Sequence, residues 1–366
     1  MNRIHKIEDY EIIEQGSVAN LRGVEPYTDT KMGKLILEFT DDTSVKDFGK
    51  LGFETPRKGE SMTHTAVYNF EQMTQMGVPH IFKEQVAPNA IMVDWVRKMN
   101  PDEIDLTEVR TNRLFPIEVI TRDVITATSS AAKRLVNGTL SYQELGLSEM
   151  PTEFPIFLPK TYVDGSTKLR VSGDDYLPWD QLKTMAYATT ADINAATKYV
   201  LATTELAQRR GSEIGVLVFD HKDEYAYNEK GDLILADKVL CLDEITCALV
   251  GPYRDLDHFR NKSFNVFQAG INHSDDAYVN ASKQLFRDHY DAEHPKWVKK
   301  VKEALKGTSL PPAPQPPSML VELASEIYQA FANEWTGEQK FDVPSLEKCV
   351  RHYKIYAQQF YELRTE

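Results

Sequence analysis

Apolar residues in the first hundred positions fall into short strand-like runs around a single helical segment. Residues 34–39 predict a strand, and further strands are predicted at 81–84 and 90–96. Residues 60–76 repeat apolar side chains at the 3.6-residue spacing of a helix, and Gly77 marks the predicted end of that helix. This part of the chain therefore predicts a small α+β lobe.

The middle of the chain predicts a long strand and a long helix. Residues 114–122 predict a strand that carries Glu118 and Arg122 on one face. Residues 190–210 predict a helix with a continuous apolar stripe, which should pack on a sheet. Gly211 is the predicted end of this helix.

Residues 216–240 predict a β-hairpin, because two apolar strands flank a polar, glycine-containing turn. A four-residue loop would place Glu224 directly opposite Asp237, with Cβ atoms about 5 Å apart. Strand alternation then puts Asp220 and Lys222 on the same face as Glu224.

Two facing carboxylates repel each other unless a cation lies between them. An oxygen-only pair suits Mg²⁺, which usually binds one or two carboxylates together with the phosphates of a substrate. The hairpin is therefore a candidate metal–nucleotide site. A solvated hairpin with ordinary surface charges explains the same pattern, since a change of register by one residue would separate the pair.

The C-terminal third predicts helices around a proline-rich linker. Five of the chain's 18 prolines lie within residues 307–318, which predicts an extended segment. One helix is predicted before it at 276–305, with a break near Pro295, and another after it at 319–335.

Composition narrows the function mainly by exclusion. The length of 366 residues favours two domains at about 150 residues each. The net charge of −13 has the wrong sign for a protein that grips nucleic acid through its phosphates. The three cysteines form no Cys-x-x-Cys pair, and the start of the chain has no apolar signal segment, which together favour the cytoplasm. No apolar run has the length of a membrane span.

Three weaker candidates for anion binding lie outside the hairpin. Glu118 and Arg122 could hold an anionic substrate, although such a pair is more often a cross-strand surface contact. Gly16 and Ser17 could form a turn over a phosphate, although most such turns bind nothing. Lys58, just before a helix, could receive a phosphate, although basic loops are usually solvated. Dinucleotide-binding, Walker and zinc-protease motifs do not occur in the sequence.

At the hairpin the sequence resembles the SAICAR synthetase family, the phosphoribosylaminoimidazole-succinocarboxamide synthases. The family pattern Leu-Val-Asp-x-Lys-x-Glu-Phe-Gly, followed by a strand that ends in Asp, is matched by residues 218–225 and by Asp237. Residues 40–47 are similar to the family's Ser/Thr-Asp-Arg-Ile-Ser-Ala-Phe-Asp, and residues 116–122 to its Pro-Ile-Glu-x-x-x-Arg. From residues 154–160 to the C-terminal helices the similarity continues in the same order.

The resemblance implies an α+β fold of two lobes, similar to ATP-grasp enzymes and kinases, with antiparallel sheets and C-terminal helices. Residues 1–98 would form a lobe that covers the nucleotide, and residues 99–306 a central lobe with the metal and substrate site. Residues 307–366 would form the proline-rich linker and the last helices. Members of the family join the carboxylate of a phosphoribosyl aminoimidazole carboxylate to the amine of aspartate, using ATP through an acyl phosphate.

The resemblance also implies roles for individual residues. The implied catalytic residues are Asp220 and Lys222, and the implied Mg²⁺ ligands are Glu224 and Asp237. The nucleotide would contact Gly16, Ser17, Lys222 and Glu224. The substrates would contact Asp41, Ser44, Lys58, Glu118, Arg122, Thr128, Asp174 and Asp175, with Arg122 and Thr128 at the ribose phosphate.

Several family positions are occupied differently in this chain. The family's Gly-Lys over the nucleotide is Gly16-Ser17, and its Thr-Gly-Ser after the strand arginine is Thr126-Ala-Thr128. Its Pro-Ser-Thr-Lys is matched with Pro159-Lys-Thr-Tyr. Its His-Asp becomes Gly173-Asp174-Asp175, so that either aspartate could correspond.

The largest difference follows the second hairpin strand. The family's Pro-Asp-Ser-Ser-Arg corresponds to residues 242–246, so that Thr246 stands where an arginine is expected to bind the substrate phosphate. Arg254 or Arg260 could compensate for this arginine. Loss of a charged hydrogen bond to phosphate is worth about 1.5–3 kcal/mol, which is enough to shift substrate preference.

We therefore predict an ATP- and Mg²⁺-dependent carbon–nitrogen ligase of purine biosynthesis. Its partners would be small molecules, namely the aminoimidazole ribotide carboxylate, aspartate and ATP, without nucleic acid or membrane, and a homo-oligomer is left open. One alternative is a ligase of the same kind with a different acid or amine. Another is a non-catalytic relative that binds a nucleotide or a partner enzyme. The joint presence of Asp220, Lys222, Glu224 and Asp237 argues against the second alternative.

Overall fold

Within the first hundred positions, the described residues form a five-stranded antiparallel sheet with one helix packed on it and a separate two-stranded ribbon. The computed structural model describes residues 6–45, 48–103, 105–106, 109–127, 129–170, 174–237, 240–249, 279–280, 284–304 and 310–361. Strands β1 (Ile12–Gln15), β2 (Ala19–Glu25) and β3 (Gly33–Phe39) precede a two-stranded ribbon of β4 (Asp42–Val45) and β5 (Gly49–Glu54). Helix α1 (Lys58–Gln75) follows, then β6 (Phe82–Ala87) and β7 (Ala90–Trp95). The sheet order is β1-β2-β3-β7-β6.

The central region forms a second antiparallel sheet around two long strands. These are β8 (Arg113–Ile125) and β10 (Val216–Tyr227), and they pair with each other. The sheet also contains β9 (Ile156–Thr167), β11 (Leu233–Leu235), β12 (Ile245–Leu249) and β13 (Val279–Asn280). Its order is β13-β12-β10-β8-β9, with β11 paired to the far end of β10.

Helices cover this second sheet and complete the C-terminal region. Helices α2 (Ser130–Val136) and α3 (Trp179–Ala186) precede α4 (Thr190–Ile214), which packs on β8 and β10. Helices α5 (Gln284–Glu293), α6 (Pro295–Glu303), α7 (Ser318–Thr336) and α8 (Leu346–Tyr361) follow. Helix α7 packs on α1, α4 and α8, and one apolar core extends from the first sheet through β10 to α7.

The predicted α+β class is confirmed, with two main antiparallel sheets and C-terminal helices. The division at residues 98 and 306 stays a prediction. Among the described residues, every helix is too short or too polar to cross a membrane.

Two predicted helix boundaries differ from the structure. Helix α4 continues past Gly211 to Ile214, because the left-handed cap residue is Gly215, with a φ of 73°. A Cβ atom on Gly211 would lie 2.3 Å from the carbonyl oxygen of Val216, so this glycine permits the close approach of the next strand. The helix predicted from residue 276 begins at Gln284, since Val279–Asn280 pair with β12 as a strand.

Candidate functional site

Strand β10 separates a polar face from a buried face, as its alternation predicts. Asp220, Lys222 and Glu224 are partly exposed on one face. The residues between them are buried on the other face, which packs against α4. Three of the predicted site residues are therefore brought onto one surface of the second sheet.

The predicted register of the hairpin is wrong by one residue. Tyr225 pairs with Leu235, and the amide of Ala236 donates a 2.8 Å hydrogen bond to the carbonyl of Glu224. The loop between the strands has five residues rather than four, so Glu224 faces Ala236 instead of Asp237. The second strand ends at Leu235, and beyond it Oδ2 of Asp237 still lies 3.7 Å from Nζ of Lys222.

Lys222 lies among four carboxylates. Its Nζ atom is 2.6 Å from Oε1 of Glu224 and 3.1 Å from Oε1 of Glu118. Asp237 lies at 3.7 Å and Glu244 at 3.9 Å from the same nitrogen. Burial by itself would lower the pKa of Lys222, but these carboxylates raise it well above its ordinary value. The carboxylates therefore favour the charged form of Lys222.

A second lysine joins the same carboxylates. Nζ of Lys168 lies 2.7 Å from Oε1 of Glu118 and 2.9 Å from Oε1 of Glu224. Burial would raise the pKa of Glu224, but Lys222 and Lys168 hold it well below its ordinary range. We call this set the acid–lysine cluster; its members are Glu118, Lys168, Lys222, Glu224, Asp237 and Glu244.

Strand pairing explains how distant residues enter the acid–lysine cluster. Glu118 on β8 pairs directly with Glu224 on β10 and, on its other side, with Ser166 on β9. The hydroxyl of Ser166 donates a hydrogen bond of 3.3 Å to Oε2 of Glu118. Two like charges directly opposite each other destabilise a sheet unless cations separate them. Lys168 and Lys222 supply those cations.

The donor set of the acid–lysine cluster fits Mg²⁺ bound together with a nucleotide. Four carboxylates against two ammonium groups leave an excess of two negative charges, and the available ligand atoms are oxygens. In the part of the chain that the structure describes, three His, Cys, Asp or Glu side chains do not converge as a ready-made metal site. Phosphate oxygens would therefore have to complete the coordination of an ion here.

A second charged group lies at the other end of the polar face. Arg122 on β8 pairs with Asp220 on β10, with 3.5 Å between Nη1 and Oδ2. Its Nε atom donates to Asp164 at 3.1 Å, and its Nη2 atom donates to the hydroxyl of Ser130 at 3.0 Å. Burial would lower the pKa of Arg122, but Asp220 and Asp164 raise it.

A buried hydrogen-bond network supports β10 from behind. The ring of His221 lies 2.9 Å from the hydroxyls of both Thr121 and Thr203. The Thr203 hydroxyl lies 2.6 Å from Oδ2 of Asp223. Burial lowers the pKa of His221 to about 3 and raises the pKa of Asp223 to about 7. This network ties β10 to α4 and so fixes the strand that presents Lys222.

The predicted residues of the first lobe lie on other elements. Gly16 and Ser17 form the turn between β1 and β2, with the amide of Gly16 bonded to the carbonyl of Ala19 at 2.8 Å. Asp41 accepts hydrogen bonds from the amides of Arg57 at 2.9 Å and Gly59 at 2.8 Å, at the start of α1.

Asp41 also borders a cavity of about 280 Å³. The residues that line this cavity are Phe39, Thr40, Asp41, Glu54, Arg57, Glu60 and Asn89. Ser44 lies on β4, opposite Lys50 of β5.

Lys58 requires a correction. Its side chain is only 2% exposed, and its Nζ atom lies 2.6 Å from Oδ2 of Asp243 and 2.9 Å from the carbonyl of Asp42. The hydroxyl of Tyr328 on α7 donates to the other oxygen of Asp243. Lys58 is neither a solvated loop residue nor open to a substrate phosphate, because this ion pair encloses it.

The remaining predicted substrate residues lie near the end of β9. Asp174 is exposed, whereas the amide and carbonyl of Asp175 both bond to Thr167, each at 2.8–2.9 Å. Thr128 lies outside the described residues, as do Gly173, Arg254 and Arg260.

Two members of the acid–lysine cluster, Lys168 and Glu244, are not among the residues that the sequence patterns predict. Residues 159–162 are the predicted counterpart of the family's Pro-Ser-Thr-Lys, but Pro159 and Lys160 are exposed. The segment Ser166-Thr167-Lys168 carries the same Ser-Thr-Lys order, and it is this lysine that reaches the acid–lysine cluster. This tripeptide is the sequence pattern that indicates Lys168 as a site residue. Glu244 has no comparable signal, because its position depends on the path of the chain after β11.

Comparisons with known proteins identify the family of this chain. The sequence model of the SAICAR synthetase family matches residues 24–249. An Archaeoglobus fulgidus protein named "Putative phosphoribosylaminoimidazole-succinocarboxamide synthase" is 28% identical over 363 residues, which cover 93% of this chain and 98% of the relative. The Streptomyces coelicolor phosphoribosylaminoimidazole-succinocarboxamide synthase is 28% identical over 217 residues, covering 58% of this chain and 66% of that protein.

Solved structures show the same fold. The SAICAR synthase of Saccharomyces cerevisiae, in complex with SAICAR, superimposes with a TM-score of 0.62 at 18% identity. The match covers 93% of this chain and 97% of the yeast chain. Both sheets and the C-terminal helices therefore belong to one shared architecture.

Proposed function

The chain belongs to the SAICAR synthetase family, and on that premise we propose that its acid–lysine cluster carries out the family's ligation. The reaction joins the carboxylate of a phosphoribosyl aminoimidazole carboxylate to the amine of aspartate, with ATP as the energy source. The observation that carries the proposal is the position of the Lys222 ammonium, 2.6 Å from Glu224 and 3.1 Å from Glu118.

The chemistry demands neutralisation of charge more than acid–base catalysis. A carboxylate oxygen of the ribotide attacks the γ-phosphorus of ATP, ADP leaves, and an acyl phosphate forms. The amine of aspartate then attacks the acyl carbon, inorganic phosphate leaves, and the proton of the amine passes to that phosphate. Fixed cations that face the transferring phosphoryl group lower both barriers. We assign this role to Lys222 and Lys168.

Glu224 and Asp237 are the residues that would hold Mg²⁺ with the phosphates of ATP. The ion supplies charge neutralisation and alignment of the phosphates. The excess negative charge of the acid–lysine cluster supports this assignment, because a divalent cation would balance it. Glu118 and Glu244 then hold the two lysines in place rather than the metal.

The other predicted residues complete the site in this proposal. The Gly16-Ser17 turn would cover the nucleotide, and Asp41 and Ser44 would border the substrates from the first lobe. Asp220 and Arg122 would border the ribotide on the side of the polar face that lies away from β11. Asp174 and Asp175 would border the substrates next to the acid–lysine cluster, because the backbone of Asp175 bonds to Thr167, which adjoins Ser166 opposite Glu118.

A second candidate function is a ligase with the same ATP chemistry and another acid. Thr246 favours it, since a threonine stands where the family has a phosphate-binding arginine. An acid without a phosphate would need no such arginine.

Release of ADP by the purified protein tests the proposal. The assay contains ATP, Mg²⁺, the aminoimidazole ribotide carboxylate and aspartate, and each component is omitted in turn. We expect ADP and the succinocarboxamide product only when all four are present. Turnover only with another acid or amine would favour the second candidate, and absence of turnover with every combination would contradict both.

A further inference from the structure

Thr246, which occupies the position of the family's arginine, lies next to charged groups. Thr246 on β12 pairs with Asp220 on β10, which in turn pairs with Arg122 on β8. An arginine at position 246 would therefore have lain beside the Asp220–Arg122 ion pair. A substitute for it needs to reach the same corner of the polar face.

Arg134 on α2 reaches this corner. One of its terminal nitrogens donates to Oδ2 of Asp164, the same oxygen that accepts from Nε of Arg122. Its guanidinium lies 4.4 Å from the ring centre of Tyr176, and that of Arg122 lies 5.8 Å from the same ring. Two guanidiniums are thus held together by one carboxylate oxygen and one aromatic ring.

Arg134 also has hydrogen-bonding capacity left over. Its side chain is 16% exposed, yet its Nε atom is buried and has no acceptor among the described residues. A buried donor without an acceptor is costly, and an oxygen of a bound ligand would supply the acceptor. The contact between Arg122 and Asp220 spans 3.5 Å, the limit of a hydrogen bond, so that an incoming oxygen can replace it.

The distance between Asp220 and Glu224 along β10 suits a substrate that contacts both the acid–lysine cluster and the Asp220–Arg122 pair. Asp220 lies four residues before Glu224, which corresponds to about 13 Å along a strand. An imidazole carboxylate bound at the acid–lysine cluster would extend its ribose toward Asp220. Its phosphate would then arrive at Arg122 and Arg134.

We propose that Arg134, together with Arg122, binds the phosphomonoester of the ribotide substrate and replaces the arginine absent at position 246. The inference rests on the proposed function, because that function supplies a substrate with a phosphate. Arg134 is a binding residue in this proposal and takes no part in phosphoryl transfer.

Calorimetric titration with two ligands tests the proposal. The probes are the aminoimidazole ribotide carboxylate and the corresponding nucleoside, which lacks the phosphate. We expect Arg134→Ala to weaken ribotide binding by about 10- to 100-fold and to leave nucleoside binding unchanged. Arg134→Lys should recover part of the loss, since it keeps the charge but not the planar fork. The matched control is Lys133→Ala, at the exposed neighbouring position of α2.

The outcomes separate this inference from the proposed function. Equal weakening of ribotide and nucleoside by both Arg134 variants would assign Arg134 a purely structural role and overturn the inference. Unchanged ribotide binding in these variants, with a loss in Arg254→Ala or Arg260→Ala instead, would also overturn it. A wild-type protein that binds neither probe and forms no product would contradict the proposed function itself.

Discussion

Nζ of Lys222 and Oε1 of Glu224 lie 2.6 Å apart on the same strand, separated by one buried residue. The same oxygen of Glu224 also lies 2.9 Å from Nζ of Lys168, which directly follows β9 on the far side of β8. Glu224 is thus shared between Lys222 on its own strand and Lys168, which follows a strand that does not pair with β10. Each lysine should therefore matter for activity.

Substitution Lys168→Met should lower the turnover number by at least about tenfold. The change removes a fixed cation from a group of carboxylates that already carries excess negative charge. Lys160→Met is the matched control, because Lys160 is exposed and belongs to the segment that the sequence pattern had selected. Steady-state measurement of ADP release compares the two. Equal activity of Lys168→Met and Lys160→Met would contradict the placement of Lys168 in the reaction site.

Substitution Glu224→Gln should make nucleotide binding insensitive to Mg²⁺. The amide keeps the shape of the side chain but loses the charge that would attract the ion. Titration with ATP, with and without Mg²⁺, measures the effect, and we expect the enhancement by Mg²⁺ to be lost. Glu205→Gln, at an exposed position of α4, is the control. Retention of the full Mg²⁺ effect in Glu224→Gln would remove Glu224 from the metal site.

Much of this site follows from local sequence patterns. The alternation along β10 predicts which face carries Asp220, Lys222 and Glu224, because side chains on a strand alternate strictly. The helical period predicts α4, which covers the other face. The alternation and the helical period both depend only on residues that are close in sequence, so that a single sequence is enough to predict the strand face and the helix.

The partners of these residues do not follow from local patterns. Lys168 is 50 residues from Glu118 and 56 from Glu224, and only the order β10-β8-β9 brings the three together. The hairpin register depends on whether the loop has four or five residues, which composition does not determine. Gly211 has the residue type of a helix end, yet its role is set by Val216, which packs against it.

The stability of the protein should fall in mild acid because of His80. Burial lowers the pKa of His80 below its ordinary value of 6.5, and Lys83 lowers it further. The folded state therefore keeps His80 neutral, while the unfolded chain takes up a proton as the pH drops below about 6.5. The free energy of unfolding should fall over that range, because protonation favours the unfolded chain.

Urea unfolding at pH 7.5 and pH 5 measures this effect. We expect the wild type to lose more stability than His80→Gln between these two pH values. In the wild type the Thr74 hydroxyl lies 2.8 Å from Nε2 of His80, and a glutamine side chain can keep a hydrogen bond to it. His352→Gln, at an exposed position of α8, controls for the loss of one histidine. An identical pH dependence in His80→Gln and the wild type would contradict the prediction.

Substitution Lys58→Met should destabilise the protein by about 3–5 kcal/mol, because it leaves Asp243 buried without its cation. Lys58 and Asp243 are 2% and 4% exposed, and Tyr328 of α7 shares the same carboxylate. The pair thus joins the start of α1, the segment before Glu244 and the C-terminal helices. Urea denaturation measures the loss directly.

Lys50→Met is the matched control for this prediction. The side chains of Lys50 and Asp42 are 49% and 23% exposed, so their ion pair should contribute less than about 1 kcal/mol to the free energy of unfolding. The two interpretations of Lys58 predict opposite results. A substrate ligand would give normal stability and a raised KM for the ribotide carboxylate. A buried ion-pair partner would give a large loss of stability, and a Lys58→Met, Asp243→Leu double variant should recover part of it, because the uncompensated charge is then gone.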